Sequence, residues 1–398
     1  MLIIGYNFGI RSERRLCEEV HLNVAYRSFC RLGLEDKVPD HSTFSKKRHG
    51  RFRESGVFRH VFESVLQSCM TEGLVRGEGF VTDASIIKAD TRRARGLKGG
   101  RAMDWCKREE AMRPVREYIA ALDEANDTPE PTKIISMTDP ASSWTGAKGG
   151  PPFFAHSTNY LIDLDAGIIV DVEASAVNKS AEVVATKTMI DRVEEKFEIK
   201  PDRLVGDTNY GSTAILGWLV DEKKISPHNH VADKSERGDG TLSRSDFQWD
   251  EQANEYRCPE GKALRSDWRT FKNPRDRITK ADTIIFRARE SDCEGCSNKN
   301  SCCPNTMRRK VTRSIHEKAR DVARAIGKTD AFKESSRQRK KVEMLVAHLK
   351  RILKMDLLRL RGFSGAQDEF LLAATAQNLR RMAKWQVPEA PEENIMPA

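Results

Sequence analysis

The stretch from Gly79 to Val220 constrains the fold most, because its hydrophobic period changes in an order that few architectures accept. Gly79-Phe-Val-Thr-Asp-Ala-Ser-Ile-Ile-Lys-Ala89 reads as a strand with Asp83 in its middle. Thr158–Leu164 and Ile168–Ala174, joined by Asp165-Ala-Gly167, read as a hairpin. Ser180 can cap a helix whose stripe is Val183, Val184, Ile190, Val193 and Phe197. Pro201–Asp207 then makes a short buried strand, and a further helix runs through Val220. Strand, hairpin, helix, strand, helix is an α/β order. An acid at the C-terminal end of such a strand, just before a helix, is where open α/β sheets place ligand sites. Asp207 stands there, and a plain turn-forming aspartate is the competing reading.

The flanks have a different character. Residues 1–75 read as a small helical domain. Leu16, Val20, Val24 and Phe29 give Arg14–Leu34 a stripe, Pro39 and Asp40 or Ser42 start a basic helix, and Phe58–Leu74 is amphipathic. From Arg92 to Pro152 the chain is polar, with a helical piece around Asp104–Asn126 interrupted at Pro114 and a Gly/Pro-rich loop at Thr145–Pro152. An insertion at 229–330 carries Cys258, Cys293, Cys296 and the pair Cys302-Cys303. Four thiolates in a tetrahedron suit a structural Zn²⁺, so Cys258, Cys293, Cys296 and either Cys302 or Cys303 are candidate ligands. Reduced thiols without metal are the alternative. Cys17, Cys30, Cys69 and Cys106, scattered singly, read as buried thiols and not as a secreted disulfide framework. The core expected at 76–228 resumes at 331–386 as two helices. Gly362 ends the first, Ser364-Gly-Ala-Gln367 caps the second, and 387–398 reads as a disordered tail.

The first of these helices is the most informative. In Arg337–Leu353, Val342, Leu345, Val346, Leu349 and Leu353, continued by Leu357 and Leu360, form one apolar stripe. Arg339, Glu343 and Lys350, at separations of four and seven, share a narrow strip along its edge. Met307–Phe363 holds 18 Lys/Arg against six Asp/Glu, a larger excess than the +9 of the whole 398-residue chain. Such a segment favours a polyanion. The chain has no run of 18 apolar residues, and its N-terminus lacks the basic region and cleavage site of a signal peptide, so a cytoplasmic protein is expected.

Asp83, Asp207 and Glu343 are the acids left to explain. Three carboxylates brought together repel unless a divalent cation lies among them, and hard oxygen ligands suit Mg²⁺ or Mn²⁺. Two such ions can activate an attacking oxygen and stabilise the leaving oxygen of a phosphodiester. Arg339 and Lys350 are then candidate phosphate contacts.

At this point the sequence resembles the DDE transposases of bacterial insertion sequences, in the branch whose catalytic helix reads Tyr-x2-Arg-x3-Glu-x6-Lys. Arg339, Glu343 and Lys350 fit that pattern, while Ser336 stands where the branch has Tyr. The resemblance extends through Ser12–Leu16, Pro39–Thr43, Val81–Ser85, Thr138–Pro140 and Gly206–Ser212. It implies a ribonuclease H-like core split by the cysteine-bearing insertion, with Asp83, Asp207 and Glu343 as metal ligands. It also implies cleavage and strand transfer at element ends on double-stranded DNA, a homodimer in the DNA complex and a place at the nucleoid. The chain begins inside what resembles the family's N-terminal domain, so a truncated frame with weakened end recognition is expected. Two rival readings remain: a catalytically impaired, zinc-bearing DNA-binding remnant, and a nuclease of the same fold.

Overall fold

In the computed structural model the expected strand at 79–89 forms as β1 (Gly79–Lys88), and the sheet is built round it. The residues described are 1–50, 52, 55–98, 111–125, 134–146, 149–231, 237–268 and 277–386. They divide into a unit of Met1–Gly206 with Lys333 onward, and a second unit of Asp207–Phe332.

In the first unit β1 is followed by β2 (Gly96–Lys98), β3 (Ile134–Ser136), β4 (Ser143–Thr145), β5 (Phe153–Asp163), β6 (Ile169–Ser175) and β7 (Arg203–Val205). The sheet order is β4-β5-β1-β7, with β6 pairing the length of β5 that β4 does not cover. β5 and β6 form the expected hairpin, turning at Gly167 with φ +67°. β1 runs antiparallel to β5 and parallel to β7. From Phe154 to Asp163 every residue of β5 is buried, the pattern of a strand covered on both faces.

The unit's helices are α1 (Leu2–Asn7), α2 (Glu13–Leu22), α3 (Val24–Phe29), α4 (His41–His49), α5 (Val57–Thr71), α6 (Arg113–Ala125) and α7 (Lys179–Phe197). Two long helices complete it: α12 (Asp330–Arg351), which belongs to this unit from Lys333, and α13 (Gly362–Gln386). α7 and α13 both pack on β6. α13 also closes that strand's free edge with side-chain amides. Asn378 accepts from the Ile169 N–H and donates to its carbonyl, each at 2.8 Å, while Gln367 accepts from Ala174 N–H at 2.7 Å and donates to Val172 O at 2.8 Å. A covered edge cannot recruit a foreign strand.

Several expectations about single elements change. The helix expected over Arg14–Leu34 breaks at Asn23, whose side chain accepts from the Ala25 and Tyr26 N–H groups and starts α3. Val24 and Phe29 are consequently exposed. α7 is capped by Asn178 rather than Ser180, and Pro114 lies in the first turn of α6, where a missing N–H costs nothing. α12 ends at Arg351. Beyond it Lys354 turns the backbone at φ +54°, and residues 356–358 run beside β1, with Leu358 N–H donating to Lys88 O at 2.8 Å. Leu357 is therefore exposed although its spacing continues the helical stripe. Gly362 begins α13, and Ser364 donates to Glu117 instead of capping. Cys106, residues 104–110, 147–148 and 387–398 lie outside the described residues.

The second unit contains α8 (Thr213–Gly217), β8 (Ser226–His228), β9 (Gln248–Asp250), β10 (Glu255–Arg257), β11 (Ala263–Leu264), β12 (Thr283–Arg287), α9 (Glu290–Glu294), α10 (Lys299–Cys302), β13 (Lys310–Ser314) and α11 (Glu317–Ile326). The β11-β10-β9 sheet and the β12–β13 pair share a core of Phe247, Tyr256, Leu264, Phe286 and Val311 with Cys293, Cys302 and Cys303. Burying a side chain such as Phe286 contributes about 1.5–3 kcal/mol. Among the described residues no helix is long and apolar enough to cross a membrane.

Candidate active site

β1 holds Asp83 half-buried and directly opposite Tyr160 of β5. Burial pushes the Tyr160 phenol up to about 12, opposed by Thr158 and reinforced by the charge of Asp83. Lys350 approaches the same strand from α12. Its Nζ donates to the Ile86 carbonyl at 3.0 Å. Burial draws the ammonium below the ordinary lysine value, while Asp83 and then Asp356 pull it back up. Lys350, expected at a DNA phosphate, thus makes an exposed hydrogen bond to the strand that carries Asp83.

Glu343 lies two turns before Lys350 on α12, and its side chain is 48% exposed. Arg339, one turn earlier, holds it at 2.8 Å. A pair as open as this contributes about 0–1 kcal/mol, so either partner is readily exchanged.

Asp207 opens the second unit. Its side chain caps the turn over Thr208–Gly211, accepting from the Asn209 N–H at 2.7 Å and from Asn209 Nδ2 at 3.2 Å. In the first unit Val81 pairs with Val205 across the parallel β1–β7 ladder. Each aspartate follows its member of that pair by two residues.

A carboxylate set of this kind has the donor chemistry for Mg²⁺ or Mn²⁺. Among the described residues, however, no group of three or more His, Cys, Asp or Glu side chains stands close enough to hold a metal ion. Asp83 and Glu343 belong to the first unit and Asp207 to the second. The five candidate cysteines, all of them described, likewise form no such group. Cys258 turns a tight loop in which its Sγ accepts from the Lys262 N–H at 3.3 Å, and Glu260 ties that loop to Asn298, just past Cys296, at 2.6 Å. Cys293, Cys302 and Cys303 lie in the apolar core, and Cys258 packs against it. Burial there, with Cys303 adjacent, raises Cys302 to about 11, and burial also raises Cys293.

Two buried charge groups had no counterpart in the sequence reading. His156 Nε2 and Asp139 Oδ2 are 3.0 Å apart with both side chains at 0% exposure, and the Phe363 ring lies 5.3 Å from the imidazole. A run of polar residues, His156 to Asn159, inside an otherwise apolar strand was the available signal. Glu369 of α13 is also fully buried. It accepts from Tyr6 Oη at 3.2 Å, from the guanidinium of Arg11, and from the Arg359 and Leu360 N–H groups at 2.6 and 2.5 Å. Arg48 joins through Tyr6 at 3.2 Å and Glu13 at 2.8 Å. The N-terminal helices are thereby bonded to α13.

Comparison with known proteins gives two family matches, each over part of the chain. Residues 257–383 match the family described as Transposase DDE domain, and residues 1–50 match the family described as Transposase domain (DUF772). Both are transposase families. No curated protein and no solved structure matches the chain. The transposase DDE match takes in Arg339, Glu343, Lys350 and the cysteines from Cys258 onward; Asp83 and Asp207 lie outside it. The N-terminal transposase match contains Tyr6, Arg11, Glu13 and Arg48, the residues bonded directly or indirectly to Glu369. The two matches support a transposition enzyme whose substrate is DNA.

Proposed function

We propose that this chain is a DNA transposase that cuts the ends of an insertion sequence and transfers them to target DNA. Asp83, Asp207 and Glu343 are its acids, Mg²⁺ or Mn²⁺ its cofactor, and a ribonuclease H-like core its frame. The observation that carries this reading is the register of β1 and β7: Val81 pairs with Val205, Asp83 stands two residues further along β1, and Asp207 follows the end of β7 by two residues in sequence. The antiparallel β1–β5–β6 meander, the helix α7 and the parallel return of β7 support the frame. The reading asks Glu343 to part from Arg339, a rearrangement opposed by only about 0–1 kcal/mol. Arg339 is then available to a DNA phosphate. Lys350 is a positioning residue, holding α12 on the strand of Asp83. Two element ends call for two copies of the chain in the complex, on DNA at the nucleoid.

A cleavage assay on a duplex bearing the inverted repeats beside the gene, with Mg²⁺, tests the proposal. Strand cleavage by the parent chain that disappears in Asp207→Ala, with DNA retention preserved, supports it; undiminished cleavage by that variant overturns it. One observation favours a second reading, a DNA-binding remnant without catalysis: Ser336 stands on α12 where the catalytic-helix pattern has Tyr. Absence of cleavage by the parent chain in Mg²⁺ and in Mn²⁺ selects that reading.

A further inference from the structure

The edge of α12 away from Glu343 faces a cleft of about 280 Å³. Lys341, Met344, Leu345 and His348 line it from α12, and Gln377, Arg380, Arg381 and Lys384 from α13. At about 100° per residue, Lys341 and His348 fall roughly 170° round the helix from Glu343 and Lys350, so the two sets flank the buried stripe on opposite sides. Four permanent cations and an imidazole converge here, and no aspartate or glutamate is among the lining residues. Arg380 donates to the Asn7 carbonyl at 2.9 Å, a neutral acceptor. Lys341 and Lys384 are exposed, while Arg381 is half-buried. His348 bonds Gln377 through Nδ1 at 3.1 Å. Burial depresses the imidazole below its ordinary value, the Gln377 hydrogen bond opposes that, and Arg380, Lys384 and Arg381 add to it.

We propose that this cleft, through Lys341, Arg381 and Lys384, binds the phosphodiester backbone of duplex DNA at a place on α12 distinct from the Glu343 edge. The assignment rests on the DNA-acting reading above. Rigid helices hold the cations on both walls, as a backbone contact requires, and Leu345 and Met344 supply a neutral floor that offers no base-specific donor pattern. A competing structural role exists, because Lys384 lies in the last turn of α13, where a cation complements the helix dipole.

Fluorescence anisotropy with a duplex of arbitrary sequence, in chelator so that no cleavage enters, separates these roles. The variants are Lys341→Gln/Lys384→Gln, both exposed and harmless to folding, and the same pair with Arg381→Gln. The control is Arg337→Gln, on the same helix, whose guanidinium pairs with Glu334 at 3.3 Å. The expected result is a plot of log K against log salt shallower by about one per cation removed, an unchanged slope for the control, and an unchanged melting temperature for the double variant. An unchanged slope in the double and triple variants while the parent binds DNA overturns the proposal. So does an equal loss in the control, or a lowered melting temperature without a change in slope. A parent chain that fails to bind any duplex would sink the DNA-acting reading itself, a separate outcome.

Discussion

The two edges of α12 carry charge in different ways. On one edge Arg339 is paired with Glu343, and Lys350 is bonded to the Ile86 carbonyl beside Asp83. On the other, Lys341 faces Arg380, Arg381 and Lys384 across a cleft with no acidic lining. Basic residues next to a catalytic acid are usually assigned to the substrate, yet here those are the ones engaged within the protein. The cations open to a polyanion lie on the far edge. Sharing a helix edge with Glu343 is therefore a poor guide to which base is open to a polyanion.

The largest expected effect comes from the acid edge. Glu343→Gln should lower strand cleavage by about 10²–10⁴-fold while leaving duplex affinity within twofold, measured by nicking and anisotropy on one preparation. A variant that cleaves normally would remove the acid edge from the chemistry. Chelation of divalent ions should have the same consequence for the parent chain, with activity restored by Mg²⁺ or Mn²⁺; cleavage in excess chelator would contradict the cofactor assignment.

Charges bonded within the chain should show up in stability. Glu369→Gln leaves the buried Arg11 guanidinium without its counter-charge and is expected to cost about 3–5 kcal/mol in denaturant unfolding. A loss below 1 kcal/mol would show that the N-terminal helices are not held by this group. Lys350→Met, which removes one exposed hydrogen bond, should cost no more than about 0.5–1.5 kcal/mol and leave the salt slope of DNA binding unchanged. A shallower slope would return Lys350 to the DNA surface and erase the contrast between the edges.

Much of the frame could be read before any coordinates. β1, the hairpin with its turn at Gly167, and β7 follow from period and turn chemistry, because each is bounded by residues whose φ or branching allows little else. The end of α12 could not, since Leu353, Leu357 and Leu360 continue a helical spacing that the bridge from β1 to residues 356–358 overrides. Asp83, Asp207 and Glu343 were visible as acids in unusual places, but the partners of Glu343 and Lys350 depend on which way α12 turns against the sheet. Sequence spacing fixes the strip and not what it faces. The cleft with α13 needed residues more than 30 positions apart, and the Asp139–His156 pair needed the β5 register.

The smallest expected effect is in pH. His348 has a folded-state value below its ordinary one, so the unfolded chain binds more protons between the two. Stability should be complete above about pH 6.5 and decline as pH falls through that value, the ordinary histidine range. The groups facing the ring are Gln377, Arg380, Arg381 and Lys384. In His348→Gln that part of the decline should vanish from unfolding curves taken at pH 5–8; an identical decline in the variant would show that His348 is not its source.

The most direct test pits the two edges against each other on one substrate. Cleavage at saturating DNA and the salt dependence of binding are measured side by side for Glu343→Gln and for Lys341→Gln/Lys384→Gln. The account predicts a crossed result: the first variant loses cleavage and keeps the parent salt slope, and the second keeps cleavage once saturated and binds with a slope shallower by about two. Two variants that lose both properties together, or neither, would contradict it.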